Sequence, residues 1–209
     1  MIIKIKREDA LHHYNRFPQR TYDYIKEEED YFYPKVFGNY ILTLKSKSVK
    51  GHAKLLSTEL AILTMNLGFE DLIFLGDNKN YWLTKLSLSR EDYKPLKNAL
   101  EYFMDNKIGK RFNGALVVDN SNLSEFIEHL FYLTRCDASL PYFYFMDKNQ
   151  NFISNICQYG NVHFDTLNKK TDTHLKQALV KGKFEIIYDK KCFSQFAKTS
   201  KIKARHAVV

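Results

Sequence analysis

The chain has 209 residues, of which 44% are hydrophobic and 27% charged, with a formal net charge of +8. That balance suits one folded domain with a substantial core and excludes a disordered chain. No apolar run approaches the ~18 residues of a membrane helix, so no membrane partner is expected. The three cysteines, Cys136, Cys157 and Cys192, show no CxxC spacing. A disulfide framework and a four-ligand zinc site are therefore not expected.

In chain order, Met1 to Asp9 turns charged before an apolar stretch of signal-peptide length develops, which favours a cytoplasmic protein. The first ~35 residues read as a helical, charged surface layer: Tyr22, Ile25 and Glu29 follow helical spacing and Pro34 closes it. Tyr40–Leu44 reads as a strand. Leu56, Leu60, Leu63 and Leu67 recur as one helical stripe that Gly68 can end. Leu72–Gly76 is a strand, followed by a turn at 77–80 and a second strand at 81–86, which predicts an antiparallel hairpin.

A helix starts near Asp92 with Pro95 in its first turn, carrying Leu96, Leu100 and Phe103. Ala115–Asp119 is a strand. Asn122 and Glu125 then resemble a capping box for a helix bearing Leu123, Phe126, Ile127 and Leu130. Residues 140–165 read as three strands joined by turns at 147–150 and 159–161. Tyr142 to Phe145 carries no charge, which favours a buried central strand over a stacking surface. Thr171 or Asp172 caps a helix running to Gly182. Phe184–Tyr188 is the last strand, and Phe193 with Phe196 suggests a short terminal helix before a mobile basic tail at about 199–209. Helices interleaved with hairpins predict one α/β or α+β domain, with a mixed, largely antiparallel sheet flanked by helices.

Positive charge is concentrated in two zones. Residues 45–54 hold Lys45, Lys47, Lys50 and Lys54 with no acid; residues 181–209 hold eight Lys/Arg against Glu185 and Asp189. Such zones attract polyanions, so Lys45, Lys47, Lys50 and Lys54, with Lys198, Lys201, Lys203 and Arg205, form a candidate nucleic-acid contact. No reader motif accompanies them.

Four apolar runs end on aspartate, at Asp77, Asp119, Asp147 and Asp189. They could gather at one sheet edge and hold a hard cation if their strands were parallel. The plainer reading is that aspartate is a turn former. Phosphate-loop and nucleophile-elbow patterns do not occur in the sequence.

The hairpin around Gly160 offers more chemistry. With Tyr159-Gly160-Asn161 as a three-residue loop, Cys157 pairs with His163 and Asn155 with Asp165. Side chains alternate along strands, so Cys157, His163, Asn155 and Asp165 share one face. A thiol beside an imidazole is the composition of an activated nucleophile, and equally of two or three metal ligands. A different loop length would shift the register. Tyr31, Phe32 and Tyr33, beside Pro34, suggest an exposed contact patch.

Taken together, the sequence predicts a non-enzymatic cytoplasmic protein that contacts another macromolecule, a protein partner first and nucleic acid second, with no cofactor or metal. A thiol-dependent or metal-assisted hydrolase using Cys157, His163 and Asp165 is the further alternative.

Overall fold

Strands supplied by the apolar runs pair into one eight-stranded sheet, with helices filling most of the sequence between them. The computed structural model describes residues 2–23, 25–90, 92–189, 191–193, 196, 202 and 205. In chain order the elements are β1 (Ile2–Ile5), α1 (Arg7–His13), β2 (Gln19–Asp23), β3 (Glu28–Phe32), β4 (Gly38–Thr43), α2 (Val49–Asn66), β5 (Asp71–Gly76) and α3 (Lys85–Leu88). They continue with α4 (Lys94–Asp105), β6 (Ala115–Asp119), α5 (Asn120–Cys136), β7 (Phe143–Asp147), β8 (Phe152–Ile156), β9 (Val162–Thr166), α6 (Lys169–Lys181) and β10 (Glu185–Ile186). The sheet order is β1-β6-β5-β7-β8-β9-β4-β10, every pairing is antiparallel, and β2-β3 forms a separate ribbon.

The two faces of the sheet have different covers. Alternate residues such as Leu72, Phe74, Phe145, Phe152 and Phe164 meet α2, α4, α5 and α6 in the main core. Aromatic rings dominate it: Phe126 of α5 lies 4.6 Å from Phe74 and near Trp82 and Phe103, and Trp82 stacks on Phe143 at 4.1 Å. Ile73, Leu75, Val117, Tyr144, Met146 and Ile153 point the other way into a smaller cluster with Ala10 and Phe17. The helix face therefore supplies most of the buried apolar area, and the second face is left for polar groups.

Several expectations need correction. The N-terminal layer is not helical throughout; after α1 the chain makes the β2–β3 hairpin. Its turn is closed by Asp23, whose carboxylate accepts the N–H groups of Ile25 and Lys26, and Glu27 takes φ 55°. A side chain that satisfies local backbone donors competes with a helix, and here it reverses the chain. The 81–86 segment is not a strand. Both edges of β5 are taken by β6 and β7, so Tyr81–Thr84 is irregular and Thr84 caps α3. Helix α5 is capped by Asp119, whose side chain accepts the Asn122 N–H, and α6 is capped by Asn168. The expected final helix falls mostly outside the described residues.

The aspartates do not converge. Asp71 and Asp119 are partners at one end of β5, and Asp147 lies at that same end against Leu72. Asp77 is at the opposite end, bound to Arg20 at 3.1 Å. Asp147 accepts from the N–H groups of Asn149 and Asn151, which is the work of a turn former. Gly68 does end α2, with φ 80°.

Phe126 touches more large rings than its neighbours on α5, so its removal leaves a cavity the surrounding aromatics cannot fill. Phe126→Ala should lower unfolding free energy by about 3–5 kcal/mol in urea titrations. A loss under about 1 kcal/mol would contradict this description of the core.

Candidate functional site

The β8–β9 hairpin pairs Ile156 with Val162, Asn155 with His163, Ser154 with Phe164 and Ile153 with Asp165. The connection is therefore a five-residue loop, Cys157 to Asn161, closed by Cys157 N–H to the Asn161 carbonyl at 3.0 Å. The register differs from the expected one by one pair. That shift moves partners two residues along, so the face of each side chain is unchanged. Cys157, His163, Asn155 and Asp165 do lie on the face away from the large helices.

The loop is held from the helix side. Gly160 has φ 83°, and a β-carbon there would come within 2.5 Å of His52 Nε2 and 2.7 Å of Phe131. Only glycine fits both the backbone conformation and the space. The buried His52 side chain donates from Nε2 to the Gly160 carbonyl at 2.9 Å, and its Nδ1 lies 3.2 Å from Ser46 Oγ. Arg135 donates to the Gln158 carbonyl at 3.1 Å. Helices α2 and α5 thus fix the loop on one side while Cys157 emerges on the other.

Cys157 meets a residue that the sequence did not link to the hairpin. Cys192, beyond β10, places its Sγ 3.2 Å from Cys157 Sγ. His163 completes a triad of side chains whose nitrogen and two sulfurs all lie within 4.8 Å of one another. Asn161 Nδ2 donates to Cys192 Sγ at 3.0 Å and to the Phe193 carbonyl at 3.1 Å, tying the C-terminal segment to the loop. The Cys192 thiol is held well below its ordinary pKa, chiefly by the hydrogen bond from Cys157, with His163 and Asn161 adding to it. Cys157 is pushed the other way because it keeps the bridging proton, and burial adds to that. Burial pushes the Cys136 thiol up to about 11, against the opposing charges of Arg90, Arg135 and Arg205.

This cluster floors a cleft of about 460 Å³, walled by Tyr144, Asn155, Tyr159, Arg20 and Arg205. Tyr144 shares a hydrogen bond with Tyr31 at 2.9 Å, and desolvation raises the pKa of both phenols. Arg20 also crosses the Tyr142 ring at 5.7 Å.

Asp165 does not join the cluster. Its carboxylate is buried and accepts from Tyr33 Oη and Asn39 Nδ2, two residues further along β9 than His163. Asn155 is opposite His163 in the ladder and lines the cleft. In the aromatic patch Tyr31 and Phe32 are both half exposed, while the hydroxyls of Tyr31 and Tyr33 bond to Tyr144 and Asp165.

The basic zones adjoin in space and are partly neutralised. Lys45 pairs with Glu185 at 2.6 Å and Lys183 with the buried Glu59 at 2.7 Å. Lys47, Lys50 and Lys54 are exposed in and before the first turns of α2. Lys198, Lys201 and Lys203 lie outside the described residues. Arg205 is not a solvated tail residue; it donates to the Thr134 and Arg135 carbonyls at the end of α5, at 3.0 and 3.1 Å. Among the described residues no helix is long and apolar enough to cross a membrane.

Comparison with protein-family models, with curated proteins and with solved structures gives no match.

Burial lowers the pKa of His52 below its ordinary value, with Arg135 contributing in the same direction. A histidine depressed in the folded state takes up a proton on unfolding, so its stabilisation is full above the unfolded pKa of roughly 6.5 and declines as pH falls below it. Stability should decrease on acidification from neutrality. In His52→Gln, whose amide can still donate to Gly160, the slope should be shallower by up to about 1.4 kcal/mol per pH unit. Thermal melts across this range check the prediction; identical slopes would contradict it.

Proposed function

We propose that the protein is a hydrolytic enzyme whose working site is the cleft floored by Cys157, His163 and Cys192. One observation carries the reading: three groups able to attack, or to bind what attacks, are brought within 4.8 Å at the floor of a cleft by separate segments of the chain. Local turn or helix geometry does not require Cys192 to reach the β8–β9 loop, and Asn161 spends its side-chain amide holding it there. A thiolate beside an imidazole, or a metal-bound water, are the two ways such a set attacks a carbonyl or phosphoryl centre. In either case His163 is the group placed to relay a proton or supply a ligand. Tyr144 and Tyr159 give the walls polar aromatic surface, and Arg20 and Arg205 line them while engaged by Asp77 and by the α5 carbonyls.

The competing expectations draw less support. A surface-contact role keeps the half-exposed Tyr31 and Phe32 but loses Tyr33, whose hydroxyl is bonded to the buried Asp165. A polyanion contact loses Lys45 to an ion pair and Arg205 to helix carbonyls.

The full chain should turn over at least one of p-nitrophenyl acetate, p-nitrophenyl phosphate and bis(p-nitrophenyl) phosphate. His163→Ala and Cys192→Ala should each reduce that turnover by at least roughly 100-fold. Cys136→Ala, which alters a buried thiol outside the cleft, should leave it unchanged. Absence of turnover on all three, or turnover that survives both cleft substitutions, would reject the reading.

A further inference from the structure

The Asn161 side-chain amide donates to Cys192 Sγ at 3.0 Å, and Cys157 Sγ lies 3.2 Å from the same sulfur. A donor of this kind favours thiolate over thiol. Were both sulfurs ionised, at 3.2 Å they would repel each other unless a cation lay between them. A shared proton would satisfy the pair alone. It would not explain why an imidazole nitrogen from β9 is brought to the same point.

We propose that Cys157, Cys192 and His163 form a binding site for a soft divalent metal ion, zinc by preference, with a fourth coordination position facing the cleft. Two sulfurs and one imidazole match the donor preference of zinc and disfavour magnesium or calcium, which take oxygen. Bonds of about 2.3 Å at a tetrahedral angle place two sulfurs about 3.8 Å apart, so binding opens the pair by roughly half an ångström. Cys192 lies past β10, outside the main sheet, and can supply that movement. Binding leaves both sulfurs as thiolates and releases their protons to solvent. Three protein ligands and one open position are the arrangement in which zinc activates a water molecule.

The Asn161 side chain is the outer partner of this site. It touches Cys192 Sγ, not the metal, so it acts by orienting a ligand. Gly160 acts further back, by letting the loop sit against His52 and Phe131.

The catalytic consequence rests on the cleft being the hydrolytic site; metal binding does not. The full chain, purified without chelator, should hold roughly one zinc per molecule by elemental analysis. After removal of that zinc, cobalt(II) should bind at the same stoichiometry, with sulfur-to-cobalt charge-transfer absorption and the visible bands of a tetrahedral ion. Cys157→Ala, Cys192→Ala and His163→Ala should each lower metal content by at least roughly tenfold, and Cys136→Ala should not. Asn161→Ala should retain the cobalt spectrum while affinity in chelator competition falls roughly 10–100-fold. The cobalt titration needs no variant, so misfolding of a substituted chain cannot decide the matter. Absence of both zinc and the charge-transfer band would overturn the metal site. Bound metal without ester turnover would uphold the metal site and sink the hydrolytic reading. Turnover that persists in metal-free, chelator-treated protein would uphold the hydrolytic reading and remove the metal from its chemistry.

Discussion

The Gly160 carbonyl accepting from His52 is the contact on which the site depends. It is made inside the protein, between a loop and the first turns of α2, and it fixes the far end of the β8–β9 hairpin. A loop of five residues has many conformations of similar energy, and each fixed residue costs about 1–2 kcal/mol of backbone entropy. Here that entropy is offset by burial of His52, close approach of Phe131 and the Arg135 hydrogen bond to Gln158. The result is a Cys157 held by the helix layer and presented on the opposite face. Rigid support of this kind is what a chemical site needs from its scaffold.

The division of labour between the two faces of the sheet follows from the helices. Large aromatic residues at alternate positions of β5, β7, β8 and β9 face α2, α4, α5 and α6 and make a core dense enough to stabilise the fold by itself. The second face is relieved of that task. It can hold Tyr144, Asn155, His163 and Asp165, groups that would be costly in the main core without complete hydrogen bonding. Asp165 shows the condition under which such a group is tolerated: its carboxylate is buried and bonded by Tyr33 and Asn39. His163 and the sulfurs remain partly accessible along the same face.

Charge was informative in bulk and misleading in detail. The two basic zones meet across β4 and β10, and part of their charge is consumed by Glu185 and Glu59. The exposed Lys45–Glu185 pair contributes little to stability, but both pairs change which lysines a polyanion would find. Arg205 is the clearest case. Its position near the end of the chain suggested a solvated cation, whereas it serves the unsatisfied carbonyls of α5, which a cation suits electrostatically.

The sequence by itself determined the α/β class, the antiparallel strands from 143 to 166, the helix stripe of α2 and the face on which Cys157 and His163 lie. Those properties follow from periodicity, which is local and survives a register error of two residues. Tertiary structure alone decided the β2–β3 hairpin, the removal of Asp165 to Tyr33, and above all the arrival of Cys192. Its partners are 29 and 35 positions earlier in the chain, and no spacing rule links them. They meet because β10 returns beside β4 and β4 lies beside β9, a consequence of sheet order that side-chain periodicity does not encode.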